Sequence, residues 1–134
     1  MFKRDKIVCE LPPDMQLNYF HPTPKISIAE LTDETFLIGQ SEDVLDIFGD
    51  LMAQDCERII IYERNLHADF FDLKTRLAGE VLQKFSNYRV KLAIVGDFSK
   101  YQSKSLQDFI FESNKSNYVF FTDSFISAVQ RLEK

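Results

Sequence analysis

The chain has 134 residues, 45% of them apolar, with a formal net charge of −5 and a pI near 5.0. That length suits one domain with a core that needs no disulfide or metal staple. The acidic balance argues against non-specific binding to a phosphate backbone.

Residues 1–24 hold all four prolines, Pro12, Pro13, Pro22 and Pro24. IVCEL has the makings of a short strand. The remainder of the segment reads as an extended arm, pinned to the domain by Met15, Leu17, Tyr19 and Phe20. Lys3, Arg4 and Lys6 form the only local basic cluster, expected as a solvated tail. The N-terminal apolar run is too short for a secretory signal, and no segment reaches the apolar length of a membrane span, so the expected location is the cytoplasm. Cys9 and Cys56 belong to no CxxC or His/Cys cluster, and neither a disulfide nor a metal site is expected.

From Lys25 the pattern becomes regular. KISIAEL alternates as a half-buried strand does, LTDET is a polar turn and TFLIG a second strand. Ser41 reads as a helix cap, followed by the apolar stripe Val44, Ile47, Phe48, Leu51 and Met52. RIIIY is continuous and β-branched, as in a strand covered on both faces, and Cys56 before it reads as a small buried hydrophobe. Asp69 caps a second helix predicted to run to about Asn87. VKLAIV is a further buried strand ending in a Gly96-Asp97 turn. Ser103 caps a third helix, YVFF is the fifth strand, and Asp123 opens a last helix bearing Phe125, Ile126, Val129 and Leu132. The predicted class is α/β: a mostly parallel sheet of about five strands with four helices, in the order β-β-α-β-α-β-α-β-α, over residues 25–134 as one domain.

The segment running from IIIYERNLHADFFDLKT through KLAIVGDFS to DFIFESNK resembles the bacterial family called domain of unknown function 4180, over roughly Lys25 to Lys134. The resemblance implies a fold and a bacterial origin but no activity. LAIVGDFS and VFFTDSFISAVQRL are fainter likenesses to the STAS domain of sulfate-transporter tails and anti-sigma-factor antagonists. A STAS-like fold implies a module that binds partner proteins, nucleotides or small ligands rather than an enzyme. In the antagonist branch a hydroxyl at the start of helix two is phosphorylated. Phe70, Phe71 and Asp72 stand at the matching positions and carry none. Asp72 supplies one negative charge there, less than a phosphoserine would.

No Walker A loop, GxGxxG, HExxH, GxSxG or CxxC occurs, so no cofactor, metal or catalytic set is expected. Lys74 is the anomaly. On a helical wheel it falls among Phe70, Ala78, Val81 and Phe85, where a lone ammonium would cost several kcal/mol unless paired. Glu63, Asp97, Asn65, Asp72 and Ser99 are expected on the same sheet edge, the C-terminal one, where open α/β sheets bind ligands. Three readings stay open: a structural ion pair with Glu63 or Asp97, a pocket for an anion or a partner's side chain, and a catalytic lysine. His67 and His21 lack partners by spacing. Phe111 points away from the buried side of helix three, and Phe98 with Tyr101 would extend its surface into a possible interface. The leading expectation is a non-catalytic STAS-like protein-interaction or regulatory module. The alternative is a small-ligand or anion sensor at the C-terminal sheet edge. An enzyme comes third, and neither nucleic acid nor membrane is expected as a partner.

Overall fold

A computed structural model describes residues 16–134. Among the described residues five strands form one sheet in the spatial order of the chain: β1 Leu17–Thr23, β2 Ile26–Leu31, β3 Arg58–Tyr62, β4 Lys91–Val95 and β5 Val119–Thr122. β1 and β2 are antiparallel, and every later pair is parallel. Four helices connect or follow the strands: α1 Val44–Ala53, α2 Leu77–Asn87, α3 Lys104–Asn114 and α4 Phe125–Leu132.

The opening hairpin lies one segment earlier than the sequence pattern predicts. Residues 17–23, read as part of an arm, are the edge strand of the sheet, and a turn at Pro24-Lys25 returns the chain into β2. Pro22 is tolerated because β1 is an edge strand with a bulge between Phe20 and Thr23. TFLIG, expected as a strand, makes a single bridge from Ile38 to Leu66. Asn65 explains why: its side chain grips the carbonyls of Asp33 and Phe36, each at 2.9 Å, and holds this segment beside the loop after β3 instead of in the sheet. The IVCEL strand, Met15, Cys9 and the basic cluster lie outside the described residues.

Both sheet faces are covered, which accounts for the unbroken apolar runs of β3 and β4. Ala29, Ile59, Ile61, Leu92 and Ile94 face α1, α2 and α3 across the larger core. Ile28, Ile60, Ala93 and Phe120 face the opposite way, against Ala128 and Leu132 of α4. The rings anticipated from the phenylalanine count fill the larger core, with Phe48 edge-on to Phe85 at 4.9 Å and Phe98 edge-on to Phe121 at 5.2 Å. Cys56 is buried, its Sγ near the carbonyls of Ser27 and Arg58.

Helix α2 starts eight residues after the predicted cap. Asp69 does not open it. Residues 68–71 and 73–75 form two separate 3-10 turns, and Arg76 adopts a left-handed conformation (φ 68°) before the helix begins at Leu77. The Thr75 hydroxyl donates to the Asp69 and Asp72 carbonyls at 2.6 and 2.8 Å, stabilising the turn against the helix, as threonine does when it bonds local backbone. Ser103 caps α3 as predicted, accepting from the Leu106 amide. For α4 the cap is Ser124 rather than Asp123.

Candidate functional site

The C-terminal ends of β3 and β4 bring two loops together. The first turns through Glu63–Asn65 and the second through Gly96–Tyr101. Glu63 bridges them. Its carboxylate takes the Lys100 ammonium at 2.7 Å, the Tyr101 hydroxyl at 2.5 Å and the Asp97 backbone amide at 3.3 Å. The close approach depends on Gly96. A Cβ there would stand 2.7 Å from both Glu63 Cβ and Glu63 Oε1, and 3.1 Å from Phe98 Cζ. Backbone conformation does not require this glycine, since no glycine of the described residues has positive φ; space does.

Burial alone would raise the Glu63 carboxyl. The hydrogen bonds from Lys100, Tyr101 and the Asp97 amide, with the lysine's charge, outweigh burial and hold it below its ordinary value. Tyr101 is displaced the other way, well above the usual phenol range, first by burial and then by its bond to Glu63 and that carboxylate's charge. Neither group is poised to exchange a proton near neutral pH, and general acid–base chemistry wants a group that is. The arrangement is a clasp.

The second loop is locked further. Asp97 Oδ1 accepts from the Ser99 hydroxyl and amide at 2.6 and 3.1 Å, which hold its carboxyl below the usual range. Gln107 donates to the Phe98 and Tyr101 carbonyls, each at 2.8 Å. Tyr101 stacks on Phe71 with centroids 4.6 Å apart, and Phe98 packs against Phe71 and Phe121. Phe98 and Tyr101 therefore turn into the protein beside Glu63. They do not continue the surface of Phe111, which is 62% exposed and carries Lys115 Nζ over its ring at 4.5 Å.

Asn65 is fully buried and fully used: besides the two carbonyls it grips, its Oδ1 accepts from the Tyr62 amide at 3.1 Å. Lys74 corrects the wheel argument. It is exposed in the second 3-10 turn, and its amide, not its ammonium, bonds to Asp72 Oδ1 at 3.2 Å. The cations and donors that meet Glu63 are Lys100 and Tyr101 instead. The wheel fails because the extended Asp72 and the left-handed Arg76 break the helical phase between Phe70 and α2. His67 Nδ1 accepts from the Asp69 amide at 3.0 Å as a loop cap, and His21 is exposed.

Lys100 was missed from sequence, and Gly96 was read as a turn and not as a point of close approach, although GDFSKY places a base and a phenol just past a strand end. Among the described residues no group of three His, Cys, Asp or Glu could hold a metal, and no helix is long and apolar enough to cross a membrane.

The model of a family described as a domain of unknown function, DUF4180, matches residues 23–132. The chain belongs to the DUF4180 family. No curated protein and no solved structure matches it. The family match begins at the end of β1 and takes in the clasp, α3 and α4.

Proposed function

We propose that this DUF4180 protein is a non-catalytic, STAS-like interaction or regulatory module of the bacterial cytoplasm. The observation that carries this reading is the closed state of the Glu63 clasp. The polar residues gathered at the C-terminal sheet edge satisfy one another, while large apolar side chains stay exposed on helix surfaces: Phe111 on α3 at 62%, Ile126 on α4 at 68% and Met52 on α1 at 69%. Exposed side chains of this size favour protein contacts when they gather, though scattered ones are ordinary. The element order supports kinship with the STAS fold, and the hydroxyl nearest the start of α2, that of Thr75, is engaged by the Asp69 and Asp72 carbonyls.

A second reading, a small-ligand sensor, draws support from a groove of about 630 Å³ whose lining includes Asp97, Ser99, Asp123 and Ser127. Two measurements separate the readings. Size-exclusion of the endogenous protein from its host should give a complex that Phe111→Ser or Ile126→Ser dissociates. A monomer eluting alone, together with a thermal shift on adding a small carboxylate or nucleotide, would overturn the first reading in favour of the second.

A further inference from the structure

We propose that the opposite end of the sheet, at the starts of β4 and β5, is a binding site for a small phosphate-bearing anion. A groove of about 450 Å³ opens there between the end of α3 and the end of α4. Four basic residues line it, Lys91, Lys115, Arg131 and Lys134, and among the described residues no acidic side chain does. In a protein of net charge −5 such a segregation concentrates positive potential in one concavity, the condition under which anions are attracted and held.

The groove cannot take a peptide as an added strand. The outward amides of the edge strand β5 are already occupied: Phe121 N–H donates to Asn114 Oδ1 at 2.6 Å, and Val119 N–H donates to Ser116 Oγ at 3.2 Å. The first of these bonds also orients the Asn114 amide. Its oxygen must face Phe121, so its NH2 group faces away, and among the described residues no acceptor meets it. Arg131 is pre-set in the same way. One of its NH2 groups donates to the Asn114 carbonyl at 2.7 Å, and its guanidinium lies 4.2 Å above the Phe120 ring. Among the described residues no Asp or Glu pairs with Lys91, Arg131 or Lys134; Lys91 Nζ donates to the Lys134 main-chain oxygen at 3.0 Å, and Lys115 reaches Glu112 at 3.8 Å. The ends of α3 and α4, at Asn114 and Leu132, draw cations to this place through their dipoles. That effect explains the basic residues, Arg131 on the last carbonyl of α3 included, but not the oriented amide beside them. A planar guanidinium held open next to an amide donor and ammonium groups is suited to a phosphate's several oxygens.

The test uses the full chain and two probes, inorganic phosphate and phenyl phosphate, at constant ionic strength against sodium chloride. Amide and guanidinium NMR signals are followed in the titration. The expected result is a saturable shift of the Asn114 side-chain NH2 and the Arg131 Nε–H. Asn114→Asp is the decisive variant, because a carboxylate oxygen still accepts from Phe121 N–H while the donor is replaced by negative charge. It should weaken binding at least tenfold with unfolding unchanged, and Lys91→Met should weaken it severalfold. Tighter binding of phenyl phosphate than of phosphate would identify a phosphomonoester as the ligand, and the reverse order would identify free phosphate. Shifts equal to those from chloride, spread over all lysines, or unaltered in Asn114→Asp would overturn the proposal.

Discussion

Replacing Gly96 with alanine tests the clasp directly. The new Cβ would stand 2.7 Å from two atoms of Glu63 and 3.1 Å from Phe98 Cζ. Overpacking of this kind costs about 1–3 kcal/mol. If Glu63 moves aside, its charged hydrogen bonds to Lys100 and Tyr101 weaken as well, and such bonds contribute about 1.5–3 kcal/mol each before solvent screening, which reduces the share of the half-exposed Lys100. Against this, alanine lowers the entropy of the unfolded chain by about 0.4–1 kcal/mol. A net loss of about 2–3 kcal/mol is expected, roughly 7–10 °C in Tm for a chain of this length. The informative experiment is a double-mutant cycle in chemical denaturation. Because Glu63 Cβ is itself one of the clashing atoms, Glu63→Gly is the background that opens the space. There the Gly96→Ala change should be neutral or stabilising, giving a coupling of about 2 kcal/mol or more. An equal cost in both backgrounds would refute the steric account. Gly79→Ala serves as a control: it lies within α2 with nothing inside 4 Å of the added carbon, and should stabilise by about 0.5–1 kcal/mol.

Asn65→Ala removes three hydrogen bonds from a fully buried position. With each stranded partner costing about 1–3 kcal/mol, a loss of at least about 3 kcal/mol is expected in urea unfolding. Lys74→Met, by contrast, should change stability by less than about 0.5 kcal/mol in the same assay, because the side chain is exposed. For pH, Glu63's folded value lies below the unperturbed 4.5, so its contribution is full above that value and is lost as pH falls through the lowered one. Glu63→Gln should flatten this acid limb of a stability–pH profile. Tyr62 behaves oppositely: burial and then its bond to Glu30 push it up to about 12, so its contribution is present below pH 10.0 and is lost as pH climbs towards that value. Tyr62→Phe should remove that alkaline loss.

Much of the sheet was legible because the signal was local. RIIIY and KLAIV must be covered on both faces, and Ser103 caps its helix with its own hydroxyl. The misplacements come from residues whose effect is not periodic. Asn65 decides the fate of TFLIG from 29 to 32 residues downstream, through two carbonyls that leave no mark on hydropathy. Arg76 breaks the helical phase with a backbone conformation that an arginine seldom adopts. Together with the extended Asp72 between two 3-10 turns, it makes Lys74 an exposed loop side chain that a helical wheel reads as buried. Glu63 and Asp97 were placed on the right edge because strand ends fix them, but their partner lay in the loop after β4.

The contrast between the two ends of the sheet bears on where this fold can recognise anything. In open parallel sheets the crevice at the C-terminal strand ends usually receives a ligand, because the loops there diverge and leave backbone groups free. Between β3 and β4 that crevice is filled. Glu63 crosses it, Gly96 leaves no room for even one more carbon, and the stacked pair Phe71 and Tyr101 flanks the carboxylate. A ligand entering between these loops would have to displace an ammonium, a phenol and an amide from one carboxylate, and an acidic ligand would meet Glu63 itself. At the other end the edge amides of β5 are capped by side chains, Arg131 and Lys91 rest on the Asn114 and Lys134 main-chain oxygens, and the Asn114 NH2 group meets no acceptor among the described residues. The same covalent frame thus spends its carboxylate on rigidity at one end and leaves an oriented amide NH2 group beside basic side chains at the other. Gly96→Ala and Asn114→Asp make this division measurable: the first should lower stability without moving phosphate affinity, and the second should do the reverse.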